Sequence, residues 1–207
     1  MVKYYWEITE ENIIYDENNK RINTAKRELA EQKLANHFIK ENDCVLELGA
    51  RYGSVSVVIN KKLKDKTKQL SVEPDERVWD ALEKNKKINN CQFNILKGFL
   101  SNKKLNLINK DVYAGGYAAT YIEDNNSNII NKELNDFSDY NFNVLVADCE
   151  GYLEEFFNQN KDFINNLRLI IFESDYASKC NYKKIRKDLE NNGFKKILSG
   201  SQNVYLK

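Results

Sequence analysis

Five short apolar runs, each followed by an amphipathic stretch, constrain this chain more than any other feature. The runs are 44–48, 69–73, 93–96, 143–147 and 167–172. Runs such as 143–147 and 167–172 keep apolar residues at neighbouring positions, the pattern of parallel strands covered on both faces, where neither side of the strand meets water. The segments between them have helical character: one follows the first run to about Lys64, and another spans Glu76 to Ile88 behind Pro74. A β-α order repeated in this way predicts a doubly wound sheet with ligand bound at the carboxyl ends of its strands. A last pair of strand-like runs, Phe194 to Tyr205 around Ser199-Gly200-Ser201, predicts an antiparallel hairpin at the end of the chain.

The 207 residues suffice for one domain with a substantial core. Residues 1–41 read as an N-terminal extension whose amphipathic helix runs from about Asn23 to Lys40, carried by Ala25, Leu29, Leu34, Phe38 and Ile39. Residues 42–207 hold the β-α succession. It is interrupted at 102–140 by a long insert containing Gly115-Gly116, read as a hairpin with loops.

Charge and cysteine usage narrow the partners. Lys and Arg number 32 against 31 Asp and Glu, a formal charge of +1. Proteins that neutralise many phosphates carry a clear basic excess, so no nucleic-acid partner is expected. The local run Lys61-Lys62-Leu63-Lys64-Asp65-Lys66-Thr67-Lys68 reads as a solvated helix end, where lysine suits the helix dipole. Cys44, Cys91, Cys149 and Cys180 lie far apart and His37 is the single histidine, which argues against a Cys/His zinc site. Free cysteines inside apolar runs point to a reducing compartment. No stretch approaches membrane-spanning length, so the expectation is a cytoplasmic protein with no membrane partner.

The chemistry concentrates at strand ends. Glu47-Leu48-Gly49-Ala50-Arg51-Tyr52-Gly53 ends the first strand and opens a helix. Gly49 and Gly53 let the backbone turn and approach a ligand without a Cβ in the way. The spacing differs from the dinucleotide G-x-G-x-x-G and disfavours an NAD-dependent oxidoreductase. A tight turn holding no ligand is the plain alternative. Glu73, about twenty residues on and at the end of the second strand, occupies the place from which a carboxylate accepts ribose hydroxyls. Gly98 and Phe99 follow the third strand. Val146-Ala147-Asp148-Cys149-Glu150-Gly151-Tyr152-Leu153-Glu154 ends the fourth, and Ile170-Ile171-Phe172-Glu173 the fifth.

The Glu-x-Gly-x-x-x-Gly spacing resembles motif I of class I methyltransferases. The Asp148-x-Glu150-Gly151 step is similar to the end of strand four in the FkbM family of methyltransferases. Glu73-Pro74-Asp75, the Asn-rich segment Lys84 to Asn89 and the acidic end at Glu173 resemble the same family. The likeness covers roughly residues 42 to 198 outside the insert. Arg51-Tyr52, Cys149 and Leu153 depart from its pattern, which puts the acceptor in doubt.

The resemblance implies a Rossmann-like class I methyltransferase sandwich: a mostly parallel seven-stranded sheet with an antiparallel C-terminal hairpin. It implies S-adenosylmethionine as cofactor, held by Glu47, Gly49, Ala50, Arg51, Tyr52, Gly53, Glu73, Pro74, Gly98, Phe99 and Asp148. Glu47 would take the methionyl ammonium, Glu73 the ribose, and Gly98 and Phe99 the adenine. It further implies O-methylation of a sugar or glycan hydroxyl. Asp148 is then the first candidate for general base, followed by Glu150 and Glu173. Glu150 has a competing role as a cap of the next helix. With Asp175 near, a divalent metal such as Mg or Mn that orients sugar hydroxyls stays open. Tyr4, Tyr5, Trp6, Tyr113, Tyr117 and Tyr121 could wall the site, although such residues more often pack a core. Other acceptors (RNA ribose, a small molecule or protein) and an inactive cofactor-binding scaffold are the competing functions. The insert and the N-terminal extension are where acceptor choice is expected.

Overall fold

The computed structural model describes residues 12–24, 28–110 and 118–207. Seven strands form the central sheet: β1 (Val45–Leu48), β2 (Gln69–Glu73), β3 (Asn94–Lys97), β4 (Val144–Ala147), β5 (Leu169–Glu173), β6 (Lys195–Leu198) and β7 (Gln202–Leu206). Their order is β3-β2-β1-β4-β5-β7-β6. Every pair from β3 to β5 is parallel, and β7 runs antiparallel to both β5 and β6. The five parallel strands lie within two residues of the apolar runs in the sequence, and the C-terminal hairpin forms where it was expected. Strand order reverses between β1 and β4, paired Val45 to Val144 through Leu48 to Ala147. That reversal opens a crevice at the carboxyl ends of the strands.

Among the described residues, six α-helices accompany the sheet: α1 (Leu29–Phe38), α2 (Ser54–Lys62), α3 (Glu76–Ile88), α4 (Leu153–Gln159), α5 (Phe163–Asn166) and α6 (Tyr182–Asn191). Successive residues of β1, β4 and β5 enter different cores. Val45, Val144, Val146, Leu169 and Ile171 pack with Leu34 and Ala35 of α1 and Val58 and Ile59 of α2. Leu46, Leu48, Leu145, Ala147, Ile170 and Phe172 pack with Leu153 and Phe156 of α4, Phe163 of α5 and Ile185 and Leu189 of α6. Burying one such side chain contributes roughly 1.5–3 kcal/mol. Short helices like α4 and α5 are therefore held by the sheet's apolar face, since isolated helices of that length are unstable.

Local signals set several boundaries. Asp75 caps α3 by accepting the Arg77 N–H at 3.0 Å. At the end of α2, Lys66 Nζ donates to the Asn60 and Lys61 carbonyls at 2.8 and 2.9 Å, so this part of the basic run serves the helix terminus. The first helix starts later than its apolar pattern suggests. Asn23 and Thr24 precede it in irregular structure, and Glu28 has φ 50°, a left-handed conformation that cannot continue an α-helix.

The N-terminal extension also contains a feature that its sequence did not announce, a two-stranded hairpin of Ile14–Tyr15 and Arg21–Ile22. Asn85 of α3 clamps it, accepting the Tyr15 N–H at 2.9 Å and donating to the Tyr15 carbonyl at 2.8 Å. The insert after β3 forms a second hairpin, Leu105–Lys110 with Ala118–Glu123, separate from the central sheet. Gly115-Gly116, Tyr113 and Tyr117, like Tyr4, Tyr5 and Trp6, lie outside the described residues. Among the described residues no helix is long and apolar enough to cross a membrane.

Candidate active site

The loops that leave β1, β2 and β4 are stitched together at the crevice. Gly49 and Ala50 N–H groups both donate to the Val72 carbonyl at 3.0 Å, and the Asp148 N–H donates to the Leu48 carbonyl at 3.0 Å. Gly49 has φ 88°, and a Cβ there would stand 1.7 Å from the Asp148 carbonyl oxygen. Glycine is required on both counts: the conformation is left-handed and the next strand's backbone occupies the side-chain position. Arg51, also left-handed at φ 48°, aims its N–H at Glu73 Oε2, 2.6 Å away.

Two cavities meet at Leu48, Gly49 and Asp148. The larger is a cleft of about 780 Å³ lined by Glu73, Pro74, Arg51, Cys149, Glu150 and a set of apolar side chains. Glu73 is 6% exposed, and its second oxygen accepts the Asp75 N–H at 2.8 Å. Each carboxylate oxygen thus uses one lone pair on the backbone and keeps another for a ligand, which suits the two donors of a vicinal diol. Burial pushes the Glu73 carboxyl up to about 7, with the two N–H donors pulling the other way. Much of the remaining wall is apolar, with Phe99, Leu100, Leu107, Tyr121 and Tyr152 among its side chains.

The smaller cavity, about 360 Å³, is a chamber lined by Glu28, Glu31, Glu47, Asp148, Glu173 and Gln202 among others. Glu47, 2% exposed, accepts from Ser71 Oγ at 2.5 Å and Gln69 Nε2 at 3.4 Å, part of a buried polar network between β1, β2 and α2. Burial pushes its carboxyl up to about 7, against the hydrogen bonds it accepts. Glu31 is pushed up to about 7 by burial and by the charges of Glu173 and Glu28. Glu150, at φ 49°, reaches about 7 through burial and the charges of Asp175 and Glu173. Asp148 is held well above the usual carboxylate range by burial first, then by Glu173, Glu28, Asp175 and Glu150. Glu173 is raised by burial and by Asp175 and Glu28. Carboxylates this crowded cannot all ionise, so protons stay in the chamber near neutral pH.

Asp148, Glu150 and Asp175 bring one oxygen each to within 4.8 Å of one another, a spacing that would admit a divalent cation. Proton uptake relieves the same repulsion, and the raised Asp148 and Glu150 carboxyls fit that route without an ion.

The structure brings Gly49, Arg51, Glu73, Pro74, Phe99, Asp148 and Glu150 to the cleft. Glu47, Ala50 and Glu173 line the chamber. Tyr52, Gly53 and Gly98 line neither cavity: Tyr52 packs beneath the N-terminal hairpin and donates to Glu17, Gly53 caps α2, and Gly98 lies against the Ile130 carbonyl. Glu150 does not cap α4, whose N-cap is Tyr152. Sequence reasoning missed Glu28, Glu31, Gln202, Leu107, Thr120 and Tyr152. One of these had a findable signal: a hairpin folding back on β5 pairs Gln202 with Glu173.

No family model matches the sequence, and no curated protein matches it. Solved structures do. A precorrin-6y C5,15-methyltransferase from Geobacter metallireducens superposes with a TM-score of 0.55 at 11% identity, covering 96% of this chain and 100% of its own. An rRNA methylase from Streptococcus thermophilus gives 0.52 at 7% identity, covering 87% and 95%. A protein of the NADB-Rossmann superfamily from Streptococcus agalactiae gives 0.51 at 12% identity, covering 85% and 65%. At such identities the likeness speaks for architecture, and the chain has the Rossmann-like methyltransferase fold with a mostly parallel sheet of seven strands.

Proposed function

We propose that this protein is an S-adenosylmethionine-dependent O-methyltransferase acting on a hydroxyl of a sugar or glycan. The observation that carries the cofactor is the placement of Glu73. It lines the cleft with one backbone N–H on each oxygen, among apolar side chains and next to the carboxylate chamber. An adenosyl group joined to an amino acid has this sequence of properties: flat and apolar, then a diol, then an ammonium. The residues fit it, with Phe99 and Pro74 for the nucleoside, Glu73 for the diol, Gly49 for close passage, and Glu47 with Asp148 for the cationic end. When bound, the cofactor supplies an electrophilic methyl group on a positively charged sulfur.

The protein's own task is then to position the acceptor and handle one proton. Asp148 regains its carboxylate form when positive charge is placed beside it. The loaded site is therefore the one in which Asp148 can take a hydroxyl proton. Glu150 and Glu173, on either side, hold the acceptor's other hydroxyls and share the proton afterwards. The sugar acceptor rests on the resemblance of Glu73-Pro74-Asp75 and Asp148-Cys149-Glu150-Gly151 to the FkbM family, and on a polar, carboxylate-rich chamber suited to many hydroxyl donors.

The test is methyl transfer from labelled S-adenosylmethionine, with and without magnesium, to panels of glycans, RNA and small phenols. Label appearing on a glycan hydroxyl is the expected result. Label on RNA, in keeping with the rRNA methylase that shares the fold, would replace the acceptor and keep the cofactor. Absence of binding by S-adenosylmethionine and S-adenosylhomocysteine would remove both.

A further inference from the structure

The inserted hairpin stands outside the central sheet, yet Leu107, Ala119, Thr120 and Tyr121 form one wall of the larger cleft. It is tied there from several directions. Thr120 Oγ1 donates to the Glu150 carbonyl at 3.2 Å, and Lys179 Nζ donates to the Tyr121 carbonyl at 2.6 Å. The Tyr121 ring meets the Tyr152 ring edge-on, centroids 5.0 Å apart at 80°. Tyr152 meets Phe99 at 6.3 Å and donates its hydroxyl to the Leu100 carbonyl at 2.9 Å. At the hairpin's base Lys103 bridges Glu123 and Glu155 at 2.5 and 2.9 Å. A file of three rings, Phe99, Tyr152 and Tyr121, thus runs from the end of β3 across the β4 loop to the insert.

Glu73 shares the lining of this cleft with the aromatic file and Leu107, whereas Glu28, Glu31, Glu47 and Glu173 belong to the adjoining chamber. A planar apolar group attached to a diol on Glu73 thus has apolar lining within the same cleft. Without the insert, that lining would lose Leu107, Ala119, Thr120 and Tyr121.

We propose that the insert completes the cofactor site: Leu107 and Tyr121 roof the adenine end of the cleft, and the hairpin serves nucleoside binding in place of acceptor choice. The inference rests on the S-adenosylmethionine reading. Tyr121 contributes its ring, because a ring edge or face packs any nucleobase without needing a hydrogen bond.

Calorimetric titration with S-adenosylhomocysteine and with 5′-methylthioadenosine, which lacks the amino acid, tests it. The wild type is expected to bind both. Tyr121→Ala and Leu107→Ala should each lose about tenfold in affinity, by the same factor for the two ligands. Tyr121→Phe should bind as the wild type does. A thermal melt of each variant checks that the domain stays folded, and the two alanine variants disturb different strands of the hairpin. Wild-type affinity in both alanine variants would overturn the roof, as would a loss in Tyr121→Phe equal to that in Tyr121→Ala. A wild type that binds neither ligand would instead sink the cofactor reading.

Discussion

The two cavities that meet at Gly49 are built on opposite principles. The larger cleft sets Glu73, fixed by two backbone N–H donors, among Phe99, Leu100, Leu107, Tyr121 and Tyr152, and shares Asp148 with the chamber. The chamber collects Glu28, Glu31, Glu47, Asp148 and Glu173. The first is organised to recognise a shape, with its polar anchor already oriented before any ligand arrives. The second favours protons, because burial first and neighbouring carboxylates after it raise the affinity of Glu31, Glu47, Asp148 and Glu173 for them. On the proposed function, the cleft takes the nucleoside, and the chamber takes the ammonium and the proton.

Substitutions at Asp148, on the shared wall, and at Glu73, in the cleft alone, sharpen this comparison. Asp148→Asn removes the proposed base with little change in volume, so turnover should fall by about 10²–10⁴-fold. Its affinity for S-adenosylhomocysteine should fall far less, by about tenfold at most because Glu47 still faces the ammonium, read by calorimetry alongside the methyl-transfer assay. Equal losses in both would erase the distinction. Glu73→Ala should do the converse, weakening S-adenosylhomocysteine by about 10–100-fold, the range for losing hydrogen bonds to a charged group. Turnover at saturating S-adenosylmethionine should change little.

The smallest effect concerns pH. Glu31, Glu47, Glu73 and Glu150 sit near 7 in the folded protein against an ordinary 4.5. Between those values the folded state binds more protons than the unfolded chain, so stability falls as pH rises through the window. The melting temperature should therefore increase on going from pH 8 to pH 6, by on the order of 5 °C. Glu150→Gln should flatten the slope. A melting temperature that drops over the same interval would contradict the stored protons.

Much of this fold is legible in the chain because β4 and β5 are buried on both faces, and a continuous apolar run has few other uses. Glu73 and Asp148 are legible for a related reason: a lone acid at the end of such a run must emerge at the sheet's carboxyl edge. The chamber is harder to read. Glu28 reaches it from a left-handed residue before α1, where no periodicity marks the position, and its carboxylate accepts from Ser54 of α2. Gln202 arrives from the last strand and donates to Glu31, 171 positions away in sequence. Leu107 and Tyr121 belong to a hairpin whose docking is decided by tertiary contacts with Glu150, Tyr152 and Lys179. Residue pattern gives the elements; only packing says which of them face the same space.

The Cβ position that Gly49 leaves to the Asp148 carbonyl has a mechanical consequence. The turn after β1 and the turn after β4 touch with no side chain between them, so neither can shift without carrying the other. Such a joint transmits displacement instead of absorbing it. On the proposed function, a ligand that presses on the first turn pushes on the backbone that bears Asp148.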